Sequence, residues 1–268
     1  MAKGSRGGKR TGASGGIGIN AATLKANTNA QQGQSQQPQI DDTQPAKAFS
    51  ATYDSFMAMT DDQKADTISQ MISQDVPAFL ADNDFQRLTF NLGLNDKPQL
   101  VDDSVLDTMT GTELFRTVNS VADGRTRIRY NADDIASQVQ RGSVTRVSDN
   151  GGSAYGRGIY FAHTYGSSAG YGNVSGNIKQ TAVMRAKLNS NAKIITDSEA
   201  TVGVRTEISM GTKLGKVLSK CDSASRRSIY AMAKGYNVIS DGYDDYYVIL
   251  NRNAITMSKT IKAKGTKW

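Results

Sequence analysis

From residue 111 onward the chain offers short apolar runs separated by turns of asparagine, serine and glycine. These runs are Glu113–Val118, Ile159–Ala162, Thr181–Leu188, Lys193–Thr196, Asn237–Ser240 and Tyr246–Asn251. Segments of this length between turn residues read as strands rather than helices. Two helical stretches fit among them: Asp133–Val139, and Ser223–Ala233 behind a cap at Asp222 or Ser223. Many short strands with few helices specify an α+β domain with a mixed or antiparallel sheet. No internal repeat is present.

Residues 50–110 follow a different period. Thr60-Asp61-Asp62-Gln63 is a capping box, in which the Thr60 hydroxyl takes an early helix N–H and Gln63 reaches back. Ala65, Ile68, Met71 and Ile72 follow at helical spacing. Pro77 suits a first helical turn. Phe85, Leu88 and Leu92 form one apolar face, closed by Gly93 as a C-cap. This segment is expected to be a helical subdomain ending near the Asp96-Lys97-Pro98 turn. Residues 1–49 are rich in Gly, Ser, Asn and Gln and have nothing to bury, so a disordered arm is expected. Such an arm is either a passive tail or a tether that orders on a partner.

The chain carries a net charge of +7 with a sequence pI of about 9.4. Nucleic acid is one partner that fits such a charge, but the distribution argues against it. Residues 52–110 hold eleven acidic side chains against three basic ones, Lys64, Arg87 and Lys97. The positive excess lies in the first 25 residues, in scattered arginines from Arg116 onward, and in the tail Lys259, Lys262, Lys264 and Lys267. No apolar run approaches the roughly 20 residues that span a bilayer. The N-terminus lacks the apolar stretch of a secretory signal, so a cytoplasmic protein is expected. With one cysteine, Cys221, and one histidine, His163, neither a disulfide framework nor a Cys- or His-based metal site is expected.

The stretch with most chemistry is Tyr155-Gly156-Arg157-Gly158-Ile159-Tyr160-Phe161-Ala162, followed by Ser167-Ser168-Ala169-Gly170-Tyr171-Gly172. Glycines let backbone approach a ligand closely. Tyrosines offer flat faces with a hydroxyl handle. The two together describe a wall that holds a flat ring. His163 reads as a hydrogen-bonded structural residue at a strand end, and Cys221 as a small buried apolar residue. Arg205-Thr206-Glu207-Ile208 reads as a substrate-side loop with Glu207 as a reserve carboxylate. Arg226 and Arg227 read as a solvated helix face.

Gly158-Ile159-Tyr160-Phe161-Ala162, then Ser168-Ala169 and Tyr171, resembles the nicotinamide-binding segment of ADP-ribosyltransferases, closest to the poly-ADP-ribose-polymerase branch. Leu114-Phe115-Arg116-Thr117 resembles the first-strand arginine segment of the bacterial-toxin branch. Gly235–Ile239 and Tyr246–Arg252 resemble the closing strands. These segments span roughly residues 111 to 258, and the helices before them resemble bacteriophage-encoded members of the family. The resemblance implies a two-sheet ADP-ribosyltransferase-like core over 111–268, with a basic C-terminal tail. It implies NAD as substrate and no metal. The protein would transfer ADP-ribose from NAD to a protein side chain and release nicotinamide.

In that scheme Tyr160 and Tyr171 sandwich the nicotinamide and Gly158 backs it. The Thr117 backbone and the Ser168 hydroxyl bond the carboxamide, and Arg116 grips phosphate or ribose. The family places a glutamate at the start of the closing strand, where this chain has Tyr246. Asp244 or Asp245 would have to replace it. Three outcomes stay open: an active enzyme, a reduced glycohydrolase, or an inactive NAD-binding relic. An inactive protein of this fold would act by interaction, as a virion component or an adaptor reaching a phage or host partner through its N-terminal arm. Active or not, a phage-encoded protein would reside in the host cytoplasm or the virion.

Overall fold

A computed structural model of the chain describes residues 51–72, 97–119, 121–123, 127–142, 154–171, 181–243 and 245–263. The N-terminal arm, the expected helices around Pro77 and Phe85–Leu92, and the end of the basic tail lie outside these residues. Those described belong to one compact unit, Ile40–Trp268.

The capping box forms as expected. Gln63 N–H donates to Thr60 Oγ1 at 3.2 Å, and Thr60 N–H donates to Gln63 Oε1 at 2.9 Å. It starts helix α2 (Asp61–Met71), which follows α1 (Ala51–Ala58). The chain continues through β1 (Gln99–Val101), α3 (Asp103–Thr108), β2 (Glu113–Asn119), β3 (Val121–Asp123), β4 (Arg127–Tyr130) and α4 (Ala132–Gln140). Next come β5 (Ile159–Ala162), α5 (Tyr165–Tyr171), β6 (Thr181–Leu188), β7 (Ile194–Thr196), α6 (Asp197–Ser209), α7 (Lys213–Ser219) and α8 (Ser223–Ala233). The last elements are β8 (Val238–Ser240), β9 (Tyr246–Ile249), a 3-10 turn at Arg252–Ala254, β10 (Ile255–Ser258) and β11 (Lys262–Ala263).

The fold is α+β. Nine strands form one mixed sheet in the order β1-β10-β6-β2-β5-β9-β8-β7, with β11 also on β6, while β3 and β4 form a separate ribbon. Among the described strands only β1 with β10 and β7 with β8 run parallel. Side chains alternate across the sheet and build a core on each face. On one face Leu114, Val118, Ile159, Phe161, Tyr247 and Ile249 meet α4 through Ile135, Ala136 and Val139. On the other, Ile239, Val248 and Leu250 meet α1, α2, α6, α7 and α8. Fully buried residues such as Ile68, Leu218 and Ile229 are each worth about 1.5–3 kcal/mol.

The structure contains eight α-helices among the described residues, more than the short-strand pattern implies. Residues 205–208, expected as a loop, lie inside α6. Thr196 and Glu199 form a second capping box at the start of this helix. Buried Asn237 ties β8 to its neighbours. Its Nδ2 donates to Tyr53 Oη at 2.9 Å, and its Oδ1 accepts the Lys193 N–H at 3.1 Å. Among the described residues no helix is long and apolar enough to cross a membrane.

Candidate functional site

The glycine-tyrosine run enters β5 at the middle of the sheet. Ser228 of α8 grips the turn before it, its hydroxyl accepting from Arg157 N–H at 2.6 Å and donating to Arg157 O at 2.9 Å. Gly156 has φ +145°, and a Cβ there would sit 2.7 Å from Ser228 Oγ. A Cβ on Gly158 would meet Val248 Cγ1 at 2.7 Å and Ile249 O at 2.9 Å. The close approach these glycines allow is to the protein's own α8 and β9. Gly158, expected to back a ligand, backs a strand.

Tyr160 closes this turn. Its hydroxyl donates to Gly156 O at 2.7 Å and accepts the Tyr155 N–H at 3.1 Å. Its ring packs on the core that faces the five helices α1, α2, α6, α7 and α8. Arg116 stands on β2 with Leu114 and Val118, so alternation turns it toward the opposite face. It reaches Tyr160 through the backbone, Nη1 donating to Tyr160 O at 2.7 Å. Arg116 also lies close to fully buried Arg252. Burial, and secondly repulsion from Arg116, pushes the Arg252 guanidinium down to about 9.

Thr117, expected to act through its backbone, meets Ser168 through its side chain. Their hydroxyls lie 2.9 Å apart. Ser168 is 3% exposed on α5. The Tyr165 ring meets Phe115 edge-on, centroids 6.2 Å apart, and fixes α5 over β2. Tyr171 ends α5, and its side chain lies outside the description.

Sheet register places the remaining candidates. Phe115 pairs with Ala162, and Ala162 with Tyr246. The ladder continues as Asp241 N–H donates to Tyr246 O at 3.1 Å, which sets Asp241 beside Tyr246 across β8 and β9. Tyr246, at the position of the expected glutamate, therefore shares the Tyr160 face. Asp245 is exposed. Its carbonyl accepts the His163 N–H at 2.9 Å, which continues the β5–β9 ladder and aligns Asp245 with Tyr247 on the opposite face. Asp244 lies outside the described residues. The Tyr155 ring stacks near-parallel to Tyr246, centroids 6.3 Å apart and planes at 17°. Burial raises the Tyr155 phenol, with added repulsion from Asp241, Tyr246, Asp197 and Asp245.

Arg227 is not on a solvated face. It bridges Asp197 at 3.0 Å and donates to Ala154 O at 2.5 Å. Burial raises the Asp197 carboxyl, and Arg227 opposes that shift. Arg226 closes α7, donating to Leu218 O at 2.8 Å and Ser219 O at 3.1 Å. Glu207 faces Lys234 at 2.9 Å and Thr212 Oγ1 at 2.6 Å. Burial alone would raise its carboxyl, but these two partners hold it below the usual range. Cys221 is 2% exposed, and its thiol is pushed up to about 11, chiefly by burial. The cluster that sequence reasoning did not assemble is Tyr155, Tyr246 and Asp241. Period-two alternation from Val248 back to Tyr246 was the signal that would have found the tyrosine. Comparison with protein-family models, curated proteins and solved structures gave no significant match.

Proposed function

We propose that the protein binds NAD and acts as a mono-ADP-ribosyltransferase on a protein side chain. The observation that carries this reading is the Thr117–Ser168 hydroxyl pair, 2.9 Å apart, on the sheet face that also holds Tyr160. Two hydroxyls and an aromatic ring match the needs of a carboxamide on a flat heterocycle. On binding, the hydroxyls would exchange their mutual bond for bonds to the carboxamide. Tyr160 then lines one side of the ring, and Arg116, turned to the other face of the sheet, acts by fixing Tyr160 through its carbonyl. In the reaction the bond from ribose C1′ to the nicotinamide nitrogen breaks. Nicotinamide leaves as a neutral ring, and an acceptor side chain attacks C1′ and loses its proton. The protein acts by positioning and by stabilising the developing cation. No metal is called for, and the setting is a cytoplasm.

A second reading has its own observation. Tyr246 stands where the resemblance expects glutamate, and Asp245 aligns with the opposite face. This favours a weak or inactive protein of the same fold. Such a protein acts by interaction, as a virion component or an adaptor whose N-terminal arm engages a phage or host partner.

Incubation with labelled NAD and a cell lysate separates the two. The enzyme reading expects labelled protein, lost in Arg116→Ala. Folded protein that binds NAD without labelling supports the second reading. Folded protein that neither labels nor binds NAD overturns the first.

A further inference from the structure

We propose that Asp241 is a self-modification site: the Gly242 amide nitrogen attacks the Asp241 side-chain carbon Cγ, and the aspartate becomes an isoaspartate. The two residues open the turn that leads from β8 to β9. Asp241 is half-buried, and Gly242 is exposed. Attack by a backbone nitrogen on the side chain before it is hindered most by the side chain on that nitrogen's own residue, and glycine has none. Gly242 stands at φ +85°, and a Cβ built on it would meet no described atom within 4 Å. Tyr243 beyond it projects 86% exposed, so the turn stands clear of the core.

The carboxyl group is already held for this step. Asp241 Oδ1 accepts the N–H groups of Tyr243 at 3.0 Å and Asp245 at 3.3 Å. An aspartate that bonds the N–H two residues on folds its side chain back over the intervening peptide, here that of Gly242. Nucleophile and carbon are thus kept together, which removes most of the entropy cost of the attack. As the nitrogen adds to Cγ, negative charge grows on Oδ1, where the two N–H donors already point. They act as preorganised donors to an oxyanion do. Oδ2 accepts no bond from a described residue and is the oxygen that leaves.

The step balances without a co-reactant. One bond forms, from Gly242 N to Asp241 Cγ. Oδ2 departs as water with the amide proton and one proton from solvent. Water then opens the cyclic imide. Opening at the main-chain carbonyl of Asp241 leaves Gly242 joined through Cγ, which is isoaspartate, and opening at Cγ restores aspartate. Nothing is oxidised or reduced. Isoaspartate carries the main chain through one extra methylene. That atom enters beside the 3.1 Å bond from Asp241 N–H to Tyr246 O, which follows the Ser240–Tyr247 pair of the β8–β9 ladder. The turn between β8 and β9 is therefore the part of the fold that ages. The inference is independent of NAD, which the experiment omits.

The full chain is incubated at neutral pH and body temperature in heavy-oxygen water, then digested with trypsin in ordinary water. Cuts after Lys234 and Arg252 release residues 235–252 as one peptide. The other Asp-Gly and Asn-Gly pairs, Asp123-Gly124 and Asn150-Gly151, fall in different peptides. A second form of the 235–252 peptide should accumulate, separable by chromatography and heavier by one oxygen label. Electron-transfer fragmentation should place isoaspartate at 241. Its rate in the folded chain should be no lower than in the free synthetic peptide. Asp241→Asn keeps the Oδ1 acceptor, loses ammonia in place of water, and should form the same product several times faster. Gly242→Ala puts a methyl beside the nucleophile and should slow it several-fold. No isoaspartate in the folded chain, formation much slower than in the free peptide, or equal rates in Gly242→Ala and the unaltered chain would each overturn the proposal.

Discussion

Tyr160 and Tyr246 stand on the same face of adjacent strands, and the protein treats them in opposite ways. The Tyr160 hydroxyl is bonded to the backbone on either side of Gly156, and its ring joins the core. Tyr246 keeps a half-buried ring against Tyr155, with a carboxylate beside it. The first tyrosine holds the turn in place, and the second stacks on another ring. A tyrosine in a suggestive motif is thus as much a fastening as a contact.

The largest expected effect lies on the fastened side. Gly158→Ala would place a methyl 2.7 Å from Val248 Cγ1 and 2.9 Å from Ile249 O. It should cost about 3 kcal/mol in urea unfolding. A loss below about 1 kcal/mol would show that β5 and β9 part easily, and the contrast would weaken. Tyr160→Phe comes next. It removes two hydrogen bonds and leaves Gly156 O and Tyr155 N–H to find others, for about 1–3 kcal/mol. A neutral variant in the same measurement would show that these two bonds do not hold the turn.

A double-mutant cycle of Thr117→Val and Ser168→Ala should give a coupling of about 1 kcal/mol in stability. It should also give non-additive losses of NAD affinity by calorimetry. Additive NAD losses would mean the two hydroxyls do not serve one carboxamide.

The smallest effect lies away from both tyrosines. Lys234 and Thr212 hold the Glu207 carboxyl below its ordinary value. Its contribution is therefore present above the unfolded value near pH 4.3 and is lost as pH falls through the folded one. Thermal melts of Glu207→Gln should lose about 1 kcal/mol or less at pH 7 and converge on the unaltered protein in acid. Ligand affinities should not move. A change in NAD binding in this variant would link the helical layer to the tyrosine face.

Much of the sheet was legible because its strands carry their own boundaries. Ile159–Ala162 and Thr181–Leu188 match the expected spans. The caps at Thr60 and Asp222 were readable because a single side chain makes each. Helix α6 was not, since only Ala200 and Val204 of its residues are buried and polar residues separate them. Its one local signal was Thr196 with Glu199 three residues on. Of the candidate site, Thr117 was read for its backbone, and the pairing of its hydroxyl with Ser168 was not foreseen. The Tyr155–Tyr246–Asp241 cluster was not, because it depends on pairing between β5 and β9, elements far apart in sequence. The faces of Arg116 and Asp245 likewise follow from register and not from spacing.

Asn237 has one more consequence, for the order in which the chain is made. Its amide meets the Tyr53 hydroxyl across a sequence separation of 184 residues. At ribosomal rates of about 5–20 residues per second, Tyr53 emerges roughly 10 to 40 seconds before Asn237 exists. Strand β1 waits nearly as long, since Gln99 and its partner Thr256 on β10 are 157 residues apart. During that interval the apolar sides of α1 and α2 have no sheet to cover them. A nascent chain halted before Asn237 should therefore be the form most readily captured by chaperones, and release of the last strands the moment at which it lets go.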